Sequence, residues 1–149
     1  MRTSLFHATT VVLDTNVVVA ALLWEGIPRN LLERIAGDSR LTLASSPALM
    51  AELTRVLAKQ QLRDRVLLSG ATTDQLVANY KRLVSIVTPR SVPTVVAGDS
   101  DDVHIVALAV AARASLIISG DRAHLLPIGR HEGIAIVTPR EAMTLLESQ

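Results

Sequence analysis

Val11-Val12-Leu13-Asp14-Thr15-Asn16 is the stretch that decides the fold of this chain. Three apolar residues, two of them β-branched, come directly before a carboxylate, a hydroxyl and an amide. A short apolar run bounded by polar residues is typical of a buried strand in a parallel sheet. Ligands of open α/β sheets bind beyond the carboxyl ends of the strands, so an acid at that position indicates site chemistry. Asp14 is therefore the anchor of a candidate site.

The composition limits the classes of protein to which the chain can belong. Its 149 residues, 49% of them hydrophobic, suit a single domain spanning residues 1–149. The formal net charge of +1 gives no general attraction for a polyanion, and the 2% aromatic content argues against aromatic stacking platforms. The absence of cysteine excludes disulfides, thiolate metal sites and a cysteine nucleophile. No apolar run approaches the ~20 residues that span a bilayer, so we expect a cytoplasmic protein with no membrane partner.

Strands and helices alternate along the rest of the chain. The apolar periods and helix-capping residues predict helices over 15–23, 28–36, 47–59, 62–69, 73–83 and 103–113, and one from 139 onward. Short apolar runs predict strands over 41–44, 84–87, 116–119 and 135–138. This alternation favours an α/β domain with a parallel sheet.

Two acids follow predicted strands directly. Asp14 ends the first strand, and Asp121 follows the strand that includes Ser119. A single acid at a strand end is most often a helix cap or a turn former. If the two strands are neighbours at the point where the winding direction reverses, however, both acids face one crevice.

Four further acids are candidates for the same crevice. Glu52 lies beside the apolar stripe of its predicted helix, where it either pairs with Arg55 in solvent or contributes to a site. Asp99, Asp101 and Asp102 cluster at a predicted helix start, and three acids exceed what capping needs. Acids that converge on one crevice repel each other unless a hard divalent cation binds there.

The donor types indicate which cation would bind. The four histidines are scattered at positions 7, 104, 124 and 131, without the close spacing of a zinc site. Oxygen donors without cysteine or paired histidine favour Mg²⁺ or Mn²⁺.

Taken in order, these motifs resemble the PIN-domain ribonucleases, particularly the VapC-like toxins of type II toxin–antitoxin pairs. The likeness covers nearly the whole chain. The segments that carry it are Val12-Leu13-Asp14-Thr15-Asn16, Ser46 to Leu57 with its Glu52, Asp99 to Ala109, and Ser119-Gly120-Asp121.

The resemblance implies a three-layer α/β/α PIN-like domain with a central parallel β-sheet. It further implies an Mg²⁺- or Mn²⁺-dependent endoribonuclease that acts as a toxin, forms a homodimer and is silenced by a cognate antitoxin protein. The implied catalytic and metal-binding acids are Asp14, Glu52, Asp102 and Asp121, with Asp99 and Asp101 as alternative acids beside Asp102. The implied supporting residues, which would orient these carboxylates, are Asn16 and Ser119. Thr15, at the junction of strand and helix, either does the same or caps the helix with its hydroxyl.

A basic cluster follows Glu52 along the chain. Arg55, Lys59, Arg63 and Arg65 could guide an RNA backbone towards the metals, or could form a solvated helix face. We expect Trp24, the only tryptophan, to take part in core or dimer packing rather than base stacking.

Three other functions fit parts of the pattern. A non-catalytic PIN-like module that binds RNA or protein would be expected to lack one or more of the four acids, and none is missing. A haloacid-dehalogenase-type phosphatase needs a second Asp two residues after the first, where this chain has Asn16. A receiver-like domain needs a lysine near its last strands, and the only lysines are Lys59 and Lys81.

Overall fold

A computed structural model describes residues 9–90, 100–120, 125–126 and 129–148, and only the backbone at 100–102. The strands are β1 (Thr9–Leu13), β2 (Leu41–Ser45), β3 (Ser85–Ile86), β4 (Leu116–Ile118), β5 (Arg130–His131) and β6 (Ile134–Val137). The helices are α1 (Thr15–Leu23), α2 (Ile27–Ala36), α3 (Pro47–Leu57), α4 (Arg63–Leu68), α5 (Thr73–Lys81), α6 (Ser100–Ala111) and α7 (Pro139–Glu147), with a 3₁₀ turn at Gln60–Leu62 before α4. In the described part of the chain, no helix has the length and apolar character to cross a bilayer.

The six strands form one sheet in the order β3-β2-β1-β4-β6-β5. All neighbours are parallel except β5, which pairs antiparallel with β6. The chain first moves outward from β1 to β2 and β3, and then returns to place β4 on the other side of β1. The winding direction therefore reverses between β1 and β4, where α/β sheets bind ligands.

The sheet has helices on both faces, because its central strands are apolar on both sides. Val11 and Leu13 of β1 point into one core, formed with α1, α2, α3, α5 and α7. Val12, between them, points into a second core on the opposite face, formed mainly with α6. This is the α/β domain with helices on both sides of the sheet that the sequence predicts.

The position of α6 decides which side chains can reach the end of β1. This helix packs against β1, β2 and β4 and is followed, after only four residues, by the start of β4. Its C-terminal end therefore lies at the amino edge of the sheet. Its first turn, with Asp101 and Asp102, lies at the carboxyl edge, the same edge as Asp14.

The sequence did not predict β5. The strands β5 and β6 are joined by the two residues Glu132 and Gly133, with φ values of 48° and 82°. Positive φ at both central positions is the mark of a type I′ hairpin turn, which Asn-Gly or Asp-Gly usually announces. Because glutamate stands at the first position, this signal is missing, and the sequence predicts the central parallel sheet without its antiparallel edge strand β5.

Two predicted helices also differ in extent. The predicted helix over 62–69 is a 3₁₀ turn at Gln60–Leu62 followed by α4. The helix predicted over 103–113 begins at Ser100 and ends at Ala111, because Arg113 takes a left-handed conformation with φ of 54°. The other predicted elements match to within two residues at each end.

Candidate active site

Asp14 lies at the junction between β1 and α1. Its backbone N–H donates to the carbonyl of Ile118 on β4 (2.9 Å), which continues the parallel pairing by one residue beyond Leu13. Its Oδ1 accepts a hydrogen bond from the backbone N–H of Thr15 (2.8 Å), so Asp14 caps α1. Asp14 therefore caps α1 and also lies at the carboxyl edge of the sheet, so its role as a cap does not conflict with a role in a site.

The end of β4 meets the same carboxylate. The hydroxyl of Ser119 donates to Oδ2 of Asp14 over 2.7 Å, and the Ser119 side chain is fully buried. The backbone N–H of Ser119 donates to the carbonyl of Val137 on β6 (2.9 Å), which fixes the position of the residue. The pairing of β1 with β4 thus holds this hydroxyl against Asp14.

Glu52 reaches the site from α3. The hydroxyl of Thr15 donates to Oε1 of Glu52 over 2.5 Å, and Thr15 is only 4% exposed. Glu52 is half-buried, on a helix that Ser46 caps through the N–H of Leu49 (3.2 Å). Thr15 contacts both acids, since its N–H donates to Asp14 and its hydroxyl to Glu52.

Two further candidate acids, Asp101 and Asp102, belong to α6. The backbone of Asp101 and Asp102 lies in the first turn of α6, at the same edge of the sheet as Asp14. Their side chains, and the whole of Asp99 and Asp121, lie outside the described residues. The structure therefore brings Asp14 and Glu52 together through Thr15.

The donor set fits a hard divalent cation as far as it is described. Asp14 and Glu52 offer only carboxylate oxygens, the ligands that Mg²⁺ and Mn²⁺ prefer. Among the described residues there is no group of three or more His, Cys, Asp or Glu side chains that could hold an ion. A complete set of ligands would thus need side chains from 99–102 or 121 in addition to these two.

Asn16, the third predicted supporting residue, is the second residue of α1 and is exposed. It follows Thr15 directly, so its amide lies on the solvent side of the first turn. Asn16 therefore differs from the buried Thr15 and Ser119, which contact the acids.

The basic cluster divides into two parts. Arg55, Lys59 and Arg63 are exposed, and the last two line a cavity of about 310 Å³ between α3, α4 and α5. Arg65 instead turns inward, where it donates to the carbonyl of Leu23 (2.6 Å) and lies over the ring of Trp24, 4.8 Å from its centre. Arg65 therefore ties α4 to the end of α1.

Sequence reasoning did not find the contact between Thr15 and Glu52. The pattern around Glu52 left open a solvent-exposed pair with Arg55, because periodicity does not say which neighbouring element lies over the edge of a helix stripe. Only the packing of α3 against α1 makes the two side chains meet.

Comparisons with known proteins agree with this fold. A family model described as "PIN domain" matches residues 10–123. Among solved structures, the chain is similar to one chain of the structure titled "Crystal structure of VapBC2 from Rickettsia felis bound to a DNA fragment from their promoter". The two share 17% sequence identity with a TM-score of 0.61, over 86% of this chain and 97% of that chain. A search of curated proteins found no match.

Proposed function

The chain belongs to the PIN-domain family, and on that premise we propose that it is an Mg²⁺- or Mn²⁺-dependent endoribonuclease that hydrolyses RNA phosphodiester bonds. The observation that carries the proposal is the linkage of Asp14 and Glu52 through Thr15 at the carboxyl edge of the sheet. Two acids from separate elements would repel each other there, and a bound cation would relieve that repulsion.

The acids of the candidate site are proposed to form the metal-binding site. Asp14, Asp102 and Asp121 would hold the cation, with Asp99 and Asp101 as alternative acids to Asp102. Glu52 would either bind the cation or orient the attacking water. When bound, Mg²⁺ or Mn²⁺ would supply an activated water and would neutralise charge on the scissile phosphate.

The supporting residues keep the carboxylates in position. Ser119 and Thr15 hold Asp14 and Glu52 through hydrogen bonds from buried positions. Such partners orient metal ligands and raise affinity for the ion. Asn16 completes the supporting set from the exposed side of α1.

Three basic side chains would guide the RNA substrate towards the acids. All three are exposed: Arg55 lies on α3 beyond Glu52, Lys59 follows the end of that helix, and Arg63 begins α4. Contacts with phosphates from such side chains supply salt-dependent, sequence-independent affinity.

We also propose that the protein is the cytoplasmic toxin of a type II toxin–antitoxin pair, that it forms a homodimer and that an antitoxin protein binds it. The resemblance of the four motifs and the similarity of fold to a chain of a VapBC2 structure support this role. A short reading frame next to the gene, encoding a DNA-binding protein that co-purifies with this chain and inhibits it, would verify the partner. An isolated gene with no such neighbour would leave only a nuclease.

Cleavage of mixed structured and single-stranded RNA tests the enzymatic proposal. Purified protein should cut RNA with Mg²⁺ or Mn²⁺ and stop with EDTA, and Asp14→Asn should lower the rate at least about 100-fold by removing one ligand charge. Asp74→Asn, an exposed acid at the start of α5, is the matched control and should cut normally. A folded protein that binds RNA but cuts none of it would instead identify a non-catalytic PIN-like module.

A further inference from the structure

A cavity of about 240 Å³ lies beside the candidate active site, and neither the proposed metal site nor the basic cluster uses it. It is lined by Ser46 and the first residues of α3, Pro47 and Ala48, and by His104 and Ala107 of α6. Thr88 and Pro89, which follow β3, also line it. We call it the α3–α6 cavity.

The α3–α6 cavity lies at the same edge of the sheet as the candidate acids. The ends of β2 and β3 and the first turns of α3 and α6 all lie at the carboxyl edge of the sheet. Glu52 is one turn beyond Ala48 on α3, and Asp102 is two residues before His104 on α6. The two helices that carry candidate acids thus also form the walls of the cavity.

The lining fits a flat ring with polar edges. Pro47, Pro89 and Ala107 provide apolar surface, and the half-buried imidazole of His104 provides a ring on which another ring can stack. Ser46, which also lines the cavity, is buried, and its hydroxyl accepts from the N–H of Leu49 and keeps a proton to donate.

The charges argue against an anionic group inside the cavity. None of its described lining residues is Lys, Arg, Asp or Glu. Arg90, which follows Pro89, is exposed. An uncharged lining, with an exposed arginine next in sequence to Pro89, matches a nucleotide whose base enters the cavity and whose phosphate stays outside.

We propose that the α3–α6 cavity binds an unpaired nucleobase of the RNA, on a nucleotide near the scissile bond, and thereby sets the nucleotide preference of cleavage. This inference rests on the proposed nuclease function. Sequence-selective RNA recognition mostly uses unstacked bases of single strands, which stack on side-chain rings and bond through their edges.

Two substitutions alter the cavity without touching the acids. Ala48→Leu adds volume at the exposed mouth, and His104→Ala removes the ring. Ala78→Leu, an exposed position on α5 away from the cavity, is the matched control. Thermal melting of all three should match the unmodified protein before they are compared.

The first measurement maps cut sites in a single-stranded RNA pool with randomised positions. We expect the unmodified protein and Ala78→Leu to prefer one nucleotide at a fixed distance from the cut. Ala48→Leu and His104→Ala should lose that preference and cut the preferred sequence about tenfold more slowly, the size of effect that losing one base-stacking contact has. An unchanged preference in both variants, with normal cleavage, would overturn the cavity assignment and leave the nuclease intact.

The second measurement does not need cleavage. Single-stranded RNA that carries 2-aminopurine at successive positions is titrated with protein in EDTA, and stacking of the fluorescent base in the cavity should quench its emission at one position. Ala48→Leu and His104→Ala should abolish this quench and Ala78→Leu should keep it. Equal emission with all four proteins would overturn the proposal even if the protein cuts no RNA, whereas failure of cleavage alone would refute only the nuclease function.

Discussion

The hydroxyl of Ser119 donates to Oδ2 of Asp14 over 2.7 Å, which joins the ends of two neighbouring parallel strands. The bond lies where the winding direction of the sheet reverses, and its donor is fully buried. Asp14 thus receives a side-chain bond from β4 in addition to the backbone bond that makes it the cap of α1.

Ser119→Ala should weaken metal binding more than it weakens the fold. Loss of the hydroxyl removes one orienting bond from Asp14 and should raise the Mn²⁺ concentration for half-maximal cleavage about 10–100-fold. The free energy of unfolding should fall by only about 1 kcal/mol. Cleavage rates over a Mn²⁺ titration check this, and Ser119→Thr, which keeps a hydroxyl, should recover most of the affinity. Equal Mn²⁺ dependence in Ser119→Ala and the unmodified protein would show that the bond is only structural.

Cleavage should depend on the hydroxyl of Thr15 and not on the shape of its side chain. Thr15→Val keeps the volume but removes the donor to Glu52, so the carboxylate loses its orientation and kcat should fall about tenfold or more. Thr15→Ser keeps the donor and should retain cleavage despite the cavity left by the missing methyl group. The cleavage rate and the melting temperature of both variants are measured to separate the two effects. If the role of Thr15 is purely structural, the cleavage rates will rank as the melting temperatures do, whether or not the side chain keeps a hydroxyl.

Most of the architecture could be predicted from the sequence because its signals are local. The run that ends at Asp14, the cap at Ser46 and the Thr72–Gln75 capping box each announce an element boundary, and the structure has all three. The hairpin at Glu132 and Gly133 escaped prediction because its backbone conformation is not the one its residue types usually adopt.

The candidate site could be predicted only in part, because some of its contacts join elements that are distant in sequence. Strand ends and a parallel sheet predicted that Asp14 and the end of the strand that includes Ser119 share one edge if the two strands are neighbours, and the pairing of β1 with β4 meets that condition. The bond from Thr15 to Glu52 depends on how α3 lies against α1, and the inward turn of Arg65 depends on Trp24 and the end of α1. Contacts between distant elements leave no periodic mark in the sequence.

Substitutions of Arg65 and Arg63 should therefore have opposite effects: the first should lower stability, and the second should weaken RNA binding. Arg65→Met removes the bond to the Leu23 carbonyl and the contact with Trp24, and should lower the free energy of unfolding by about 1–2 kcal/mol without changing RNA affinity. Arg63→Met should leave stability unchanged, weaken RNA binding and reduce the salt dependence by about one charge. Chemical denaturation and RNA binding at several salt concentrations test the pair. A large loss of RNA affinity in Arg65→Met at unchanged stability would return Arg65 to the RNA-binding surface.

Asp38 should make stability depend on acid pH. Hydrogen bonds from Arg40 and then Arg34 hold the pKa of Asp38 well below its ordinary value of 3.8, and the carboxylate links the end of α2 to the start of β2. A lowered pKa in the folded state means that this carboxylate stabilises the fold above about pH 4, and that the gain is lost as the pH falls towards the folded-state value.

Melting curves of Asp38→Asn from pH 7 to pH 2 test this pH dependence. The variant should melt at a lower temperature than the unmodified protein near neutral pH, and the gap should close progressively below pH 4. Glu33→Gln, an exposed acid on α2, is the control for loss of one negative charge. A gap that persists undiminished at pH 2 would assign the effect to packing instead of charge.

Mn²⁺ should stabilise the folded protein, because an ion that binds only the folded state shifts unfolding by mass action. At 100 times its dissociation constant, the ion should add about 2.7 kcal/mol, or a rise of about 5–10 °C in Tm for a domain of this size. The titration is matched in ionic strength with NaCl, since screening alone relieves repulsion between clustered acids. Asp14→Asn should melt at nearly the same temperature with and without Mn²⁺, whereas Asp74→Asn should shift like the unmodified protein. An equal rise in Asp14→Asn would place the bound ion elsewhere on the chain, and no rise in the unmodified protein would argue against a functional metal site.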